Sequence, residues 1–433
     1  MLEHVEAVLI PPALDALPDN EEIRKATQSL HNTAPGNSGL PAQLWKALQE
    51  TEETFNVFCE IVKHFWMSEC TPDDWNIGLL KILPKKGDLK LPGNYRGIMM
   101  LEAAYKVVGI ILHSRLLPIS EGLDHENQCG FRPGRSTTDA IFNMKSALKK
   151  RSEHGLESWV LFIDLVKAFD KVPRDLLWKV LRKFGVPEKL VRLLISLHCN
   201  FDVQFSVDGV VQKLQCSVGV KQGDVLGPIL FNFYIAAIMS SWRKLYEGEL
   251  CLFRSKEDFV MTGRKPTAAG EEFPLLDSEY ADDAGVLFPT RHSLATETPK
   301  LIHHFQRFGM EIHLGNTRTE KASKSEILFA AKPRIMYDDP DTYDGADLSN
   351  LDLGNGLFIP IVAEFVYLGS TISRDCTDEA DVDARIDAAG NAFGALREKI
   401  FSSTMVTMKV KKFCYVALIL IILLFGSECL TLT

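Results

Sequence analysis

Three carboxylates carry the chemistry of this 433-residue chain. Asp164 ends the apolar run Trp159-Val160-Leu161-Phe162-Ile163. A carboxylate at the end of a buried strand is costly unless it is paired or holds a metal. Asp282 and Asp283 stand side by side in Tyr280-Ala281-Asp282-Asp283-Ala284, with no basic residue next to them. Like charges this close repel, and a divalent cation relieves the repulsion. Asp164 lies 118 positions before Asp282. Brought together, the two segments would hold two oxygen-liganded ions about 3.5–4 Å apart, the clamp for in-line phosphoryl transfer. Each piece has a plainer reading. Adjacent aspartates in a turn are usually just solvated, and Asp164 alone would serve as a helix cap. Together, in a mixed α/β region beside a net-positive segment, they favour the metal site.

Periodicity supplies the elements that must position these acids. Residues 159–163 read as a fully buried strand. A hairpin centred on Ala281-Asp282-Asp283-Ala284 runs into Val286, Leu287 and Phe288. Ser136-Thr137-Thr138-Asp139 is a capping box. It opens a helix with Ala140, Met144, Ala147 and Leu148 on one face. Leu176, Leu177, Val180, Leu181 and Phe184 form a second stripe, stopped by Gly185. Phe201, Val203, Phe205 and Val207 alternate into an Asp208-Gly209 hairpin turn. Gly227-Pro228 leads into an apolar helix over residues 229–242. Residues 245–278 read as irregular, and the chain beyond residue 330 as turn-rich up to a strand at 365–372. Helices over 383–401 and 407–425 close it. The ten apolar residues 416–425 fall short of a span, which needs about 20, so a buried helix is expected and no membrane contact.

Composition narrows the class. Apolar residues make up 46% and charged residues 24%, which excludes global disorder. The net charge of −9 excludes a uniformly basic nucleic-acid coat. Residues 76–250 nevertheless carry 25 basic and 17 acidic groups, between acidic flanks. Such a basic middle fits a local polyanion groove. The nine cysteines form no Cys-x-x-Cys pair, so zinc ribbons are excluded and a reduced, intracellular setting is expected, nucleus or cytoplasm undetermined. Glu3, His4 and Glu6 interrupt any secretory leader.

Several blocks, in order, make the chain resemble the reverse transcriptase domain of non-LTR (long interspersed element type) retrotransposons. Asn94-Tyr95-Arg96-Gly97-Ile98, then Ala104-Tyr105-Lys106-Val107, resembles the family's fingers signature. Gln128-Cys129-Gly130-Phe131-Arg132-Pro133-Gly134-Arg135-Ser136-Thr137 is similar to the next block. Residues 164–170 match the first palm motif, and Gln222-Gly223-Asp224-Val225-Leu226-Gly227-Pro228 the second. Tyr280 to Asp283 matches Tyr-x-Asp-Asp, Ser323-Lys324-Ser325-Glu326 resembles the fourth motif, and Tyr367-Leu368-Gly369-Ser370 the primer grip. Residues 424–433 resemble the end of the thumb. Departures from the pattern are Gly227 for the usual Ser, Gly97 for a common Pro, and Asn37-Ser38-Gly39 near a common Asp-Gly. None removes a metal ligand.

The resemblance implies an α+β right-hand polymerase with an antiparallel palm sheet. Residues 1–158 would be an N-terminal extension and fingers, 159–372 the palm with an insertion near 245–278, and 373–433 a partial thumb. The implied reaction is RNA-directed DNA synthesis on an RNA template, from a DNA primer, with dNTPs. Two Mg²⁺ ions, or Mn²⁺ in their place, would sit on Asp164, Asp282 and Asp283. Leu165 would lend its carbonyl, and Arg96 and Lys85 would grip the triphosphate. Gln222 and Gly223 would lie against the nucleotide, Phe169 under its sugar, and Lys324 near the leaving pyrophosphate. Tyr367, Leu368 and Gly369 would hold the primer. Arg132 and Arg135 are expected with Lys85 and Arg96 along the groove. An endonuclease domain is missing from this chain, which reads as a fragment or a decayed copy. The alternatives are a catalytically inactive or domesticated RNA-binding remnant, a group II intron or telomerase-type enzyme, and an unrelated metal-dependent phosphohydrolase.

Overall fold

The computed structural model describes residues 2–8, 13–84, 88–91, 94–123, 126–207, 209–254, 272–331, 342–343 and 346–430. Lys85, Asp208 and half of the 245–278 stretch, residues 255–271, lie outside them; the described half is not irregular as expected, since Cys251–Arg254 pairs with Glu272–Leu275. The chain gathers into two units, each drawn from separated stretches. The first comprises Met1–His125, Val166–Leu245 and His303–Glu311. The second comprises Glu126–Leu165, Tyr246–Ile302 and Ile312–Thr433.

In the first unit the expected apolar helix forms over Leu226–Leu245 and is buried nearly all round. That is the behaviour of a helix without a polar face. The amphipathic helix Arg174–Phe184 packs on it and stops where Gly185 takes φ = 92°, the left-handed cap that glycine permits. A four-stranded sheet runs in the order Tyr95–Met100, Ile77–Pro84, Asp202–Val207, Val210–Gln215. The alternating apolar residues from Phe201 therefore form the expected hairpin arm.

Buried cations fix the segment between that hairpin and the long helix. Arg174 donates to the carbonyls of Cys216 (2.6 Å), Gly219 (2.9 Å) and His198 (2.8 Å). Lys221 is fully buried; its Nζ donates to the Leu197 carbonyl at 2.7 Å and sits 3.6 Å from the Phe201 ring centroid. Burial pushes its ammonium down to about 7, against the pull of the Asp224 carboxylate. Asp224 accepts from the Tyr105 hydroxyl at 2.6 Å. The stretch carrying Gln222 and Gly223 is thus pinned at both ends by side chains that water cannot reach.

The second unit is built on a sheet whose centre is the strand Ser158–Ile163, buried at every residue. Its neighbours are Glu326–Ala330 on one side and Asp283–Phe288 on the other, both antiparallel. Asp277–Tyr280 completes the hairpin edge. Stacked rings seal both faces: Trp159 on Phe329 at 4.0 Å and Phe162 on Phe365 at 3.9 Å between centroids. The helix Thr137–Glu153 lays Ala140, Met144, Ala147 and Leu148 into this core. The Asp139 carboxylate accepts from the Ser136 N–H (2.7 Å) and hydroxyl (2.8 Å) at its start.

Two further expectations need correction. The stretch read as turn-rich contains the strands Asn350–Gly354 and Leu357–Val362. The second pairs parallel with Glu326–Ala330, the one parallel contact among this sheet's described strands. Asn355-Gly356 forms the hairpin turn between them, and Pro360 lies within the second strand. The closing apolar helix is also not buried. Met408–Cys429 is helical and long and apolar enough to cross a membrane by length and composition. Phe413 is 70% exposed and Ile421 62%. Local apolarity establishes that a helix wants cover, and only the neighbouring elements decide whether it receives any.

Candidate active site

The register of the central sheet brings the expected acids together. Ile163 pairs with Ala284, so the next residues along, Asp164 and Asp283, stand at the same end of the two strands. Tyr280 pairs with Asp283, which leaves Ala281 and Asp282 as a two-residue hairpin turn. Ala281 takes φ = 58°, the left-handed region that β-hairpin turns use but alanine resists.

Asp164 is held by its backbone. The Asp164 N–H donates to the Ser325 hydroxyl at 3.1 Å, and its carbonyl accepts from the His313 N–H at 2.8 Å. Leu165 bridges to Ile312. Burial, then the Asp282 charge, then the Asp164 charge push the Asp283 carboxyl up to about 6. Mutual repulsion among three acids is what a cation site requires. Among the described residues, however, no three His, Cys, Asp or Glu side chains form a group that could hold an ion as it stands.

Three supporting residues had no assigned role in the sequence reading. Gln128 lies beneath the turn, fully buried, and hydrogen-bonds Ala281 through both its N–H and its carbonyl. Ser325 anchors Asp164, as above. Asp381 is 1% exposed and accepts from Lys145 Nζ (2.8 Å), the Ser370 hydroxyl (2.6 Å) and the Thr371 N–H (2.8 Å). The only sequence signal for Gln128 was its membership of a motif block. Nothing local marked Asp381, because its partner Lys145 is 236 positions away.

The remaining expected residues fall in both units. In the second, Tyr367 is a core residue whose hydroxyl donates to the Ser278 carbonyl at 3.1 Å. Leu368 and Gly369 take φ = 51° and 89° and form the turn that follows. Lys324 is exposed, with its N–H on His313 Nδ1 at 3.2 Å. Arg132 and Arg135 both engage Glu126, and buried Arg132 also donates to the Gln128 carbonyl at 3.2 Å. That partly neutralises the positive charge expected there. In the first unit, Phe169 is half-buried and stacks on Phe231 at 4.5 Å. Its carbonyl accepts from the Val220 N–H at 2.8 Å. The Gln222 carbonyl accepts from the Met99 N–H at 2.8 Å, and Gln222 Nε2 donates to Asp170 Oδ1 at 3.3 Å. Gly223 takes φ = 98°, and a Cβ there would lie 2.7 Å from the Met99 carbonyl oxygen. Arg96 is exposed on its strand, opposite Leu83.

Comparison with known proteins identifies a family. Residues 83–331 match the family model of the reverse transcriptase (RNA-dependent DNA polymerase). A 149 kDa protein of transposon TX1 from Xenopus laevis is 27% identical over 53% of this chain and 17% of its own length. The Pol polyprotein of the type-1 retrotransposable element R2 from Popillia japonica is 26% identical over 68% of this chain and 38% of its own. The probable RNA-directed DNA polymerase of transposon X-element from Drosophila melanogaster is 26% identical over 54% and 26%. The chain thus spans well under half the length of these relatives. Apo telomerase from Candida tropicalis, truncated from its C-terminal domain, aligns with TM-score 0.44 and 11% identity over 77% of this chain and 59% of that one. With the paired acids at the end of the central strand and the family model spanning every motif from the first sheet to Lys324, this chain belongs to the reverse transcriptase (RNA-dependent DNA polymerase) family.

Proposed function

We propose that this chain is the polymerising part of a non-LTR retrotransposon protein, adding deoxynucleotides to a primer 3′ end on an RNA template inside the cell. The observation that carries the reading is the tight turn bearing Asp282 and Asp283, set by strand register beside Asp164. Residues 1–158 would act as fingers, 159–372 as palm and 373–433 as the start of a thumb.

Asp164 and Asp282 would hold two Mg²⁺ ions, or Mn²⁺, with Asp283 a weaker ligand and Leu165 lending a carbonyl. The donors suit such ions: they are hard carboxylate oxygens, crowded enough that one is pushed out of the usual carboxylate range. Held there, such ions would supply the positive charge that lowers the pKa of the primer hydroxyl and neutralises the triphosphate. Arg96 and Lys85 would orient the triphosphate, Arg96 through its bidentate fork. Gln222 and Gly223 would present backbone to the nucleotide, since only glycine fits so close to Met99. Lys324 would pass a proton to the departing pyrophosphate. With Tyr367 packed inside, the primer would meet Leu368 and Gly369.

Primer extension on an RNA template with Mg²⁺ tests the reading. Template-dependent addition of dNTPs is expected, and no addition over a range of primers would favour an inactive remnant of the same fold.

The Phe169 ring tests substrate choice within that reaction. Phe169→Val should raise ribonucleotide incorporation at least tenfold, about 1.4 kcal/mol, while deoxynucleotide use changes little. Single-nucleotide extension with both sugars measures it, after thermal stability has been matched. A parallel loss with both substrates would make Phe169 a packing residue, held by Phe231, and nothing more.

A further inference from the structure

The residue that shapes the catalytic turn lies outside it. Gln128 is 0% exposed, and its carboxamide has all four hydrogen-bonding positions filled. Oε1 accepts from the Gly130 N–H at 2.7 Å and from the Ala281 N–H at 2.7 Å. Nε2 donates to the Ala281 carbonyl at 3.2 Å and to Glu279 Oε2 at 3.4 Å. The amide can sit only this way round, because flipping it would set its N–H groups against two donors.

The surrounding backbone repeats the grip. Glu279 N–H donates to the Asn127 carbonyl and Cys129 N–H to the Glu279 carbonyl, each at 2.8 Å. Residues 127–129 therefore run as a short parallel rail beside the strand that leads into the turn. Gly130 lies so close that a Cβ there would come within 2.2 Å of the Ala281 nitrogen. Ala281 itself is in the left-handed region, which alanine leaves unless its surroundings hold it. Gln128 bonds the peptide groups on both sides of that residue, and the second of them leads straight to Asp282.

We propose that Gln128 is a positioning residue: its carboxamide holds Ala281 in the left-handed conformation and so aims the Asp282 carboxylate. The proposal rests on the polymerase reading above for what Asp282 does, but not for whether the turn is held. The role demands a group that accepts two N–H bonds and donates two, which among side chains of this length is glutamine alone.

Gln128→Leu keeps the volume and removes all four bonds. In primer extension kcat should fall at least thirtyfold, with the KM for dNTP and the affinity for template–primer within about threefold of the parent. Hydrogen exchange without any substrate gives the second readout. Amides of residues 279–283 should exchange at least tenfold faster, while those of the helix Glu379–Leu396 in the same unit do not change. Unchanged exchange at the turn would overturn the proposal, and so would a uniform loosening of both regions, which marks a merely structural role. If Gln128→Leu does not fold, Gln128→Glu keeps the two accepted bonds and loses the two donated ones. It should speed exchange at the turn at least threefold, and no change would again overturn the proposal. If the parent extends no primer, the polymerase reading falls, while the exchange result still decides for or against the clamp.

Discussion

Asp282→Asn should lower primer extension at least about a thousandfold, roughly 4 kcal/mol of barrier, without lowering the thermal stability of the protein. The substitution keeps the size of the side chain. It also removes one of three negative charges that already repel one another across Asp164, Asp282 and Asp283. Relieving that repulsion favours the fold, so lost activity with a retained melting temperature isolates the chemistry. Asp164→Asn should behave the same way, because the strand register places it at the same end of the sheet. The measurement is single-turnover extension at saturating dNTP, with melting followed in parallel. Equal extension by parent and variant would remove the assigned role of Asp282 and with it the proposed mechanism.

Asp381→Ala should destabilise the second unit by about 3–5 kcal/mol, the cost of leaving a buried cation without its partner. Lys145 is nearly as buried as Asp381, and losing the carboxylate also strands the Ser370 hydroxyl and the Thr371 N–H. Asp378, 3.1 Å from Lys145 but more exposed, compensates in part. Asp378→Ala should therefore cost much less, as exposed pairs do. Arg385, 3.7 Å from Asp381, is the other charge facing the site. Burial acts to raise the Asp381 carboxyl, but the Lys145 ammonium, the Ser370 hydroxyl and the Thr371 amide outweigh it and hold the carboxyl below its ordinary value. A lowered folded pKa means the stabilisation is fully present above the unfolded carboxylate pKa near 4 and is lost as pH falls through the folded value. The gap between parent and Asp381→Ala should then be wide at pH 7 and narrow in acid. Denaturant titrations at pH 7 and pH 3 measure it. An equal gap at both would mean that Asp381 contributes by packing alone.

The sequence by itself determined the segments in which chemistry and local periodicity agree. The apolar run before Asp164 had to be a strand, because no polar face breaks it. The Asp282-Asp283 pair had to be a turn between two strands, because the apolar residues on its far arm need a sheet. The capping box at Ser136, the left-handed stop at Gly185 and the apolar helix at Leu226–Leu245 follow from the same short-range rules. Each depends on residues within a few positions of one another, where side chains and backbone meet whatever the rest of the chain does. The tertiary structure alone decided the supports. Gln128 meets Ala281 from 153 positions away, Ser325 meets Asp164 from 161, and Lys145 meets Asp381 from 236. No local pattern marks such residues, since a buried amide, hydroxyl or ion pair is stable only when a distant segment supplies every missing partner. The same reason explains the corrections at Leu357–Val362 and Met408–Cys429. Leu357–Val362 is a strand because Glu326–Ala330 offers it an edge, despite Pro360 and the flanking glycines. Met408–Cys429 stays largely exposed because Glu379–Leu396 packs on only part of it, with Ile419 buried, although its composition asks for burial.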